Sequence, residues 1–365
     1  MRLTPRMLAP LALIVLTAAF PATAAARHHR HHLNGYVQRN LVADTMGRAE
    51  LTDPSLVNSW GLAFGPATPA WVADNGTGVS TLYRGATDAT PSVSKVPLTV
   101  RIPGGAPTGA VFNPGNGFVV HSGPASGPAL FLFDSEAGVI SGWNAAVPPP
   151  PPSMEAQVGT TVPAAIFKGL AIANTRKGMR LYATDFHNAR VDVFDDHFMP
   201  AGKPGAFTDR KLPKGFAPFG IQTVAKRFIV VTYAKQDANA EDDVAGPGLG
   251  RVDVYNRQGR LLRRFARGRP LNAPWGIARA PRHFGRASGD LLIGNFGGKG
   301  HINAFDWHSR RFEGALRDKR GRKLAIDGLW ALEFGNGVIG NPNTLLFTAG
   351  PNDESHGLFG AITHR

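Results

Sequence analysis

The stretch Lys168–Asp195, K-G-L-A-I-A-N-T-R-K-G-M-R-L-Y-A-T-D-F-H-N-A-R-V-D-V-F-D, decides the fold. It opens with a glycine-marked apolar segment, Lys168-Gly169-Leu170-Ala171-Ile172, and turns at Gly178. Leu181-Tyr182-Ala183-Thr184-Asp185 follows as a near-continuous apolar run, the pattern of a strand buried on both faces. Arg190–Asp195 then alternates polar and apolar residues with period two, as a half-exposed strand does. Short antiparallel strands of this kind cannot bury their faces alone, so the unit must be stacked on copies of itself.

Copies are present. The starts are Trp60-Gly61-Leu62, Thr108-Gly109-Ala110, Lys168-Gly169-Leu170, Phe219-Gly220-Ile221, Trp275-Gly276-Ile277 and Asp327-Gly328-Leu329, with glycine steps of 48, 60, 51, 56 and 52 residues. The second strands read as Ala70–Asp74, Phe118–Ser122, Leu181–Asp185, Phe228–Tyr233, Leu291–Asn295 and Leu345–Gly350. Arg251–Tyr255 repeats the alternating third strand, and Arg260–Phe265 supplies a fourth. Four antiparallel strands repeated six times predict an all-β fold, a six-bladed β-propeller over residues 36–365. The sixth unit stops one outer strand short, at Gly357–His364, while Tyr36–Ala43 has no blade of its own. Pairing Tyr36–Ala43 into the last blade closes the ring and covers an edge.

Composition agrees with many strands and turns: 44 Gly and 29 Pro in 365 residues leave little room for long helices. Residues 1–26 carry Arg2 and Arg6, an apolar run from Leu8 to Phe20, and Ala22-Thr23-Ala24-Ala25-Ala26, the layout of a secretory signal peptide. Export to a periplasmic or extracellular space is expected, followed by a flexible His-rich segment at residues 27–35 whose imidazoles bind metal adventitiously. No integral membrane span is expected downstream. The absence of cysteine excludes disulfides, thiol nucleophiles and thiolate metal sites. Of the formal charge of +14, an excess of 13 falls between Arg251 and Ala325, where 18 Lys and Arg face 5 Asp and Glu. That field would attract an anionic envelope polymer.

The Pro274–Ala278 start, the Leu181–Asp185 strand end and Arg190–Asp195 resemble the NHL-repeat propellers. Asn40–Asp44, Asn58–Ala63 and Ala73–Gly78 are similar to a family of uncharacterised exported bacterial proteins, some of which carry a PEP-CTERM sorting tail. The resemblance runs from Asn40 to the C-terminus and implies a fold without an activity. Ile362–Arg365 ends the chain without a Pro-Glu-Pro motif, so a free exported protein is expected.

In a propeller the start of each innermost strand and the connection between strands two and three lie at one mouth of the central channel. The residues expected there include Asp74, Asn75, His121, Ser122, Asp185, His187, Tyr233, Gln236, Asn295 and the run Asn352–His356, a convergence of polar groups typical of a ligand site. Taken singly, Asp and Asn at strand ends cap their own turns, and Trp60, Trp275 and Trp330 pack the inner strands. Asp74, Asp185 and Asn295 offer the hard oxygens that Ca²⁺ takes. The acidic insertion Asp237–Asp243 reads as a solvated loop of the fourth unit, because it lacks alternate-position carboxylates. No nucleophile elbow, zincin helix or phosphate loop is present.

Three functions remain open. The first is an exported propeller that binds a small molecule, glycan or protein at the mouth. The second is a metal-dependent, lactonase-like hydrolase or lyase with His121 or His187 as base. The third is an envelope-associated structural protein.

Overall fold

The computed structural model describes Met1 and residues 35–364, so most of the expected signal peptide and His-rich segment lies outside the described residues. From Tyr36 onward the chain is strand and turn, with two single 3-10 turns at Asn75–Thr77 and Gly285–Ala287.

Six antiparallel sheets follow in chain order. Blade 1 comprises Ser59–Ala63, Ala70–Asp74, Val79–Gly85 and Val93–Arg101, and blade 2 Pro107–Phe112, Phe131–Ser135, Val139–Trp143 and Gln157–Thr161. Blade 3 comprises Phe167–Thr175, Gly178–Asp185 and Arg190–Asp195. Its outer position is held by Met199–Ala201, through a bridge between Phe194 and Pro200 and backbone bonds to Met199 and from Ala201. Blade 4 comprises Phe216–Val224, Phe228–Lys235, Arg251–Asn256 and Leu261–Arg267, and blade 5 Pro274–Arg279, Leu291–Asn295, Ile302–Phe305 and Phe312–Ala315.

Blade 6 closes the ring as the sequence requires. Leu329–Phe334, Leu345–Ala349 and Leu358–His364 are joined by Tyr36–Ala43, which runs antiparallel to Leu358–His364 with Tyr36 opposite His364 and Ala43 opposite Leu358. Leu41 and Val42 are fully buried, and the Tyr36 hydroxyl donates to the Phe284 carbonyl of blade 5.

One strand assignment from the sequence is corrected. Blade 2 takes Phe131–Ser135 as its second strand, and Val119–Ser122 pairs with Ala125–Pro128 as a separate hairpin inserted between the first and second strands. Both runs are apolar, but Phe131, Leu132 and Phe133 are completely buried whereas Val119 is exposed.

The aromatic-Gly starts have a common cause. In all six blades the register of the innermost strand slips, across Trp60-Gly61, Thr108-Gly109, Lys168-Gly169, Phe219-Gly220, Trp275-Gly276 and Trp330-Ala331, which are β-bulges. A bulge leaves backbone groups without ladder partners, and second-strand side chains satisfy them: Thr232 Oγ1 accepts from Gly220 N, and Thr348 Oγ1 accepts from Ala331 N. The same hydroxyls reach the adjacent blade, as when Thr184 donates to the Phe219 carbonyl and Thr348 to the Trp60 carbonyl. Glycine is needed where inner strands nearly touch. A Cβ on Gly220 would sit 2.2 Å from the Trp275 carbonyl oxygen, and one on Gly276 2.5 Å from that of Trp330.

Candidate functional site at the channel mouth

In blades 1, 3, 4, 5 and 6 the first residue of the bulge is delivered to the axis at the mouth. Trp60 and Trp330 stack with ring centroids 3.7 Å apart, Trp275 meets both edge-on, and Phe219 packs on Trp330. Phe296 stacks on the other side of Trp330 at 3.9 Å. These rings plug the channel. The buried Asn58 Oδ1 accepts from both Trp60 Nε1, at 2.9 Å, and Trp330 Nε1, at 3.0 Å.

Blade 3 breaks the aromatic series with Lys168. Its side chain is 2% exposed, its ammonium lies 5.3 Å from the Trp60 ring centroid, and its carbonyl accepts from Trp275 Nε1 at 2.7 Å. A buried ammonium must be paired. Lys168 donates to Glu136, on the second-to-third-strand turn of blade 2, and to Asp242 of blade 4 at 2.8 Å. Burial alone would push the Lys168 pKa down, but Glu136 and Asp242 outweigh it and raise it.

Two further carboxylates complete the cluster. Burial pushes Asp243 up to about 7 against the pull of Lys168, with Glu354 and Asp242 adding to the rise. Burial also raises Glu354, although Asn58 donates to it and Lys168 attracts it. Asn75 ties the set together, accepting from Asn58 at 3.2 Å and donating to Glu136 at 3.2 Å. Side chains of blades 1, 2, 3, 4 and 6 thus meet around one ammonium, with four carboxyl groups outnumbering the single cation.

The residues singled out in the sequence divide sharply. Asn75 belongs to the cluster. His187 lies half-buried beside it and bonds through Nδ1 to the Ala240 carbonyl, at 3.2 Å, in the acidic insertion. Asn352 is on the mouth side but exposed, binding Asp327 and Ser355 and lining an outer cavity of about 330 Å³ with Asp44 and His356. Asp74, Asp185 and Asn295 do not form a calcium cage, because each is committed within its own blade. Asp74, completely buried, accepts from Ser59 and from Thr81 N and Oγ1, and burial pushes its pKa well up. Asp185 accepts from Asn188 and pairs with Arg190 at 3.1 Å. Asn295 accepts from Asn272 N and donates to the Pro270 carbonyl. These are turn and bulge functions. The expected Ca²⁺ does not fit them.

Two placements differ outright from expectation. Tyr233 points into the core between blades, 1% exposed, with its hydroxyl 2.6 Å from that of Tyr255. His121 sits on the inserted hairpin, on the connection between strands one and two, which is the opposite face. There it lines a cavity of about 380 Å³ with Asn116, Asp196 and His197. Its displacement follows from the strand correction in blade 2. The acidic insertion is also more than solvated surface, since Asp242 and Asp243 are components of the cluster. Sequence reasoning passed over Lys168 and Glu136, while Glu354 falls in the run Asn352–His356 that it placed at the mouth. The signal for Lys168 was a lysine standing where the other large inner-strand starts are aromatic.

Part of the 251–325 positive charge is paired or stacked within the fold, and most of the excess is not. Arg264 and Arg267 clamp the buried Asp209, Arg311 pairs with Glu313 and Arg322 with Asp318, while Arg263 and Arg279 stack on Trp307. No helix among the described residues is long and apolar enough to cross a membrane.

Comparison with known proteins agrees with this architecture. A putative gluconolactonase superposes with a TM-score of 0.51 at 12% identity, covering 91% of this chain and 93% of that one. The PQQ-bound aldose sugar dehydrogenase of Streptomyces coelicolor superposes with a TM-score of 0.50 at 13% identity, covering 91% and 99%. At such identity the likeness is one of fold alone. No protein-family model matches the chain. Two uncharacterised proteins of Acanthamoeba polyphaga mimivirus match in sequence, one 32% identical over 88% of this chain and 78% of its own length, the other 31% identical over 88% and 84%. The chain therefore belongs to the same family as these mimivirus proteins.

Proposed function

We propose that this protein is an exported propeller whose mouth binds a small polyhydroxylated or amine-bearing molecule, such as a sugar or amino sugar, through the Lys168 cluster. The observation that carries the reading is the buried ammonium ringed by Glu136, Asp242, Asp243 and Glu354, drawn from three other blades. Acceptors outnumber donors there, so hydroxyl and ammonium groups of a ligand find partners. Export rests on the charged, apolar and small-residue layout of residues 1–26, and similarity to exported bacterial proteins belongs with it.

Titration calorimetry with glucose and glucosamine tests the binding reading. Saturable binding of either sugar, weakened about tenfold or more by Glu354→Gln with the fold retained, is expected. No heat with either sugar, or binding indifferent to Glu354→Gln, refutes it.

A lactonase-like hydrolase is the second reading, favoured by the Asp243 carboxyl near 7, where a general base works best. In it Asp243 takes a proton from a water attacking the lactone carbonyl, the Lys168 ammonium faces the developing oxyanion, and the acyl C–O ring bond then breaks as Asp243 returns the proton to the departing ring oxygen. No metal enters this scheme, because the Asp74, Asp185 and Asn295 oxygens are already engaged in their own blades. Hydrolysis of glucono-δ-lactone with an inflection near pH 7 that Asp243→Asn removes would establish it; background hydrolysis alone would dispose of it.

A further inference from the structure

A second polar site lies on the face opposite the mouth, between blades 3 and 4. There a cavity of about 670 Å³ is walled by Arg176, Lys177 and Arg180 from the first turn of blade 3, Lys203 beyond its outer segment, and Arg257 from the last turn of blade 4. Thr175, the Tyr182 edge and Gln258 add polar atoms, and no carboxylate lines it. The size falls within the range of about 300–1,000 Å³ usual for small-molecule clefts.

The five cations share one cavity wall without an acid among them. Some exposed arginines elsewhere find acids, as Arg39 does Glu50, Arg190 Asp192 and Arg322 Asp318, but what sets these five apart is that they converge on one concave wall. None of the five makes an ion pair among the described residues. Asp196, which packs behind the wall against Gly178, pairs with His197 instead. Two of the guanidiniums are held in place by backbone carbonyls, which fix position without cancelling charge. Arg180 donates to the Met179 carbonyl at 2.7 Å, and Arg257 crosses between blades to the Asn174 carbonyl. The Tyr182 hydroxyl steadies the same junction by donating to the Arg257 carbonyl at 2.8 Å. Like charges gathered in a concave wall repel one another and focus a positive field, and an oxyanion relieves that repulsion while accepting several charge-assisted hydrogen bonds.

We infer that this cleft is a binding site for a multivalent oxyanion, a phosphate or sulfate ester on a small molecule. The placement of the charge explains the chemistry. Arginine forks match the oxygens of a tetrahedral anion, while Lys177 and Lys203 supply mobile point charges at the rim. The site is separate from the mouth and does not depend on what the mouth binds.

Calorimetry on the full chain with inorganic pyrophosphate, and in a parallel arm with inorganic sulfate, tests it. The titrations are run in low salt at a pH where the histidines at 28–32 are neutral. Saturable 1:1 binding of pyrophosphate is expected, with sulfate deciding whether the anion selected is phosphoryl or any tetrahedral oxyanion. The exposed variants Lys177→Glu and Lys203→Glu, which disturb no recorded side-chain bond, are expected to weaken binding about tenfold or more. Arg320→Glu, exposed in the linker after blade 5, is expected to leave it unchanged. Failure of both anions to bind, or equal loss in the Arg320→Glu control, overturns the proposal. Binding by Arg180→Ala at wild-type affinity, with unfolding unaltered, does so as well.

Discussion

Lys168 is one residue on which both packing and chemistry turn. The inner-strand pattern asks for a large apolar side chain at its position, and Trp60, Phe219, Trp275 and Trp330 answer it in other blades. A lysine there buries a charge, and its cost is offset by Glu136 and Asp242, which keep part of their own hydration at 31% and 76% exposure. Lys168→Met fits the space and leaves the carboxylates facing each other without the ammonium. We expect a loss of about 2 kcal/mol in chemical denaturation, at the lower end for a broken buried pair because its partners can rehydrate. Asp243, relieved of the cation that opposes its rise, should titrate still higher than about 7, which carboxyl-edited NMR would read. A variant as stable as wild type would mean that the ammonium is dispensable to the plug. Asn75 and His187 could be placed near this site from sequence because they follow the second-strand ends by one or two positions. Glu136 could not, because the run Phe118–Ser122 reads as the second strand of its blade in place of Phe131–Ser135, the strand it follows. Glu354 falls in the Asn352–His356 run already placed at the mouth.

The recurring bulge is the element that made the fold legible. A bulge needs a glycine or a side-chain partner in every blade, so it leaves a sequence mark at each start, and the buried second strands leave another. Five starts and five second strands fall where the sequence puts them, enough to define the ring and its closing strand at residues 36–43; in blade 6 the glycine taken as the mark, Gly328, stands ahead of the bulge at Trp330-Ala331. Blade 2 escaped because its mark for the second strand appears twice, at Phe118–Ser122 and Phe131–Ser135, and apolar content alone does not tell a docked hairpin from a ladder strand. The blade 3 outer strand was equally illegible, being reduced to one bridge. The hydroxyls that satisfy the bulges offer a direct test. Thr348→Val keeps shape and β-propensity, yet removes the acceptor for Ala331 N and the donor to the Trp60 carbonyl. Leaving buried backbone groups unsatisfied costs about 1–3 kcal/mol each, so a destabilisation of roughly 2 kcal/mol is expected, with Thr348→Ser close to wild type. Equal stability of Thr348→Val and wild type in urea would show that the bulge carries no demand for a partner.

At the scale of the whole molecule, the propeller buries an unusual set of carboxyls, and their signs combine into a pH dependence. Burial raises Asp134 to about 6 and Asp243, Asp253 and Glu333 to about 7. In the unfolded chain these groups lose their protons near the ordinary carboxylate value of about 4, so between about pH 4 and 7 the folded state holds more protons than the unfolded one. Stability from this set is fully present below that window and is lost as pH rises through it. Asp209 acts in the opposite sense. Burial would raise it, but Arg264 and Arg267 hold it down to about 2, so its contribution is present above the unfolded value and lost as pH falls toward 2. Asp53, lowered by Lys95 and Tyr83 despite burial, adds to that side. The two sets cross near pH 4 to 5. Thermal unfolding should therefore show Tm rising as pH is lowered from neutral to about 5, then falling steeply below about 4. Asp253 has one oxygen without a partner and Glu333 lies on the channel axis beside Gln222, away from the mouth cluster. The double substitution Asp253→Asn with Glu333→Gln should flatten the rise between pH 7 and 5 while sparing the acid limb, which belongs to Asp209. A Tm that climbs steadily from pH 5 to 7 in the wild type would mean that these carboxyls ionise freely, and that water reaches the axis and the blade interfaces where the propeller now excludes it.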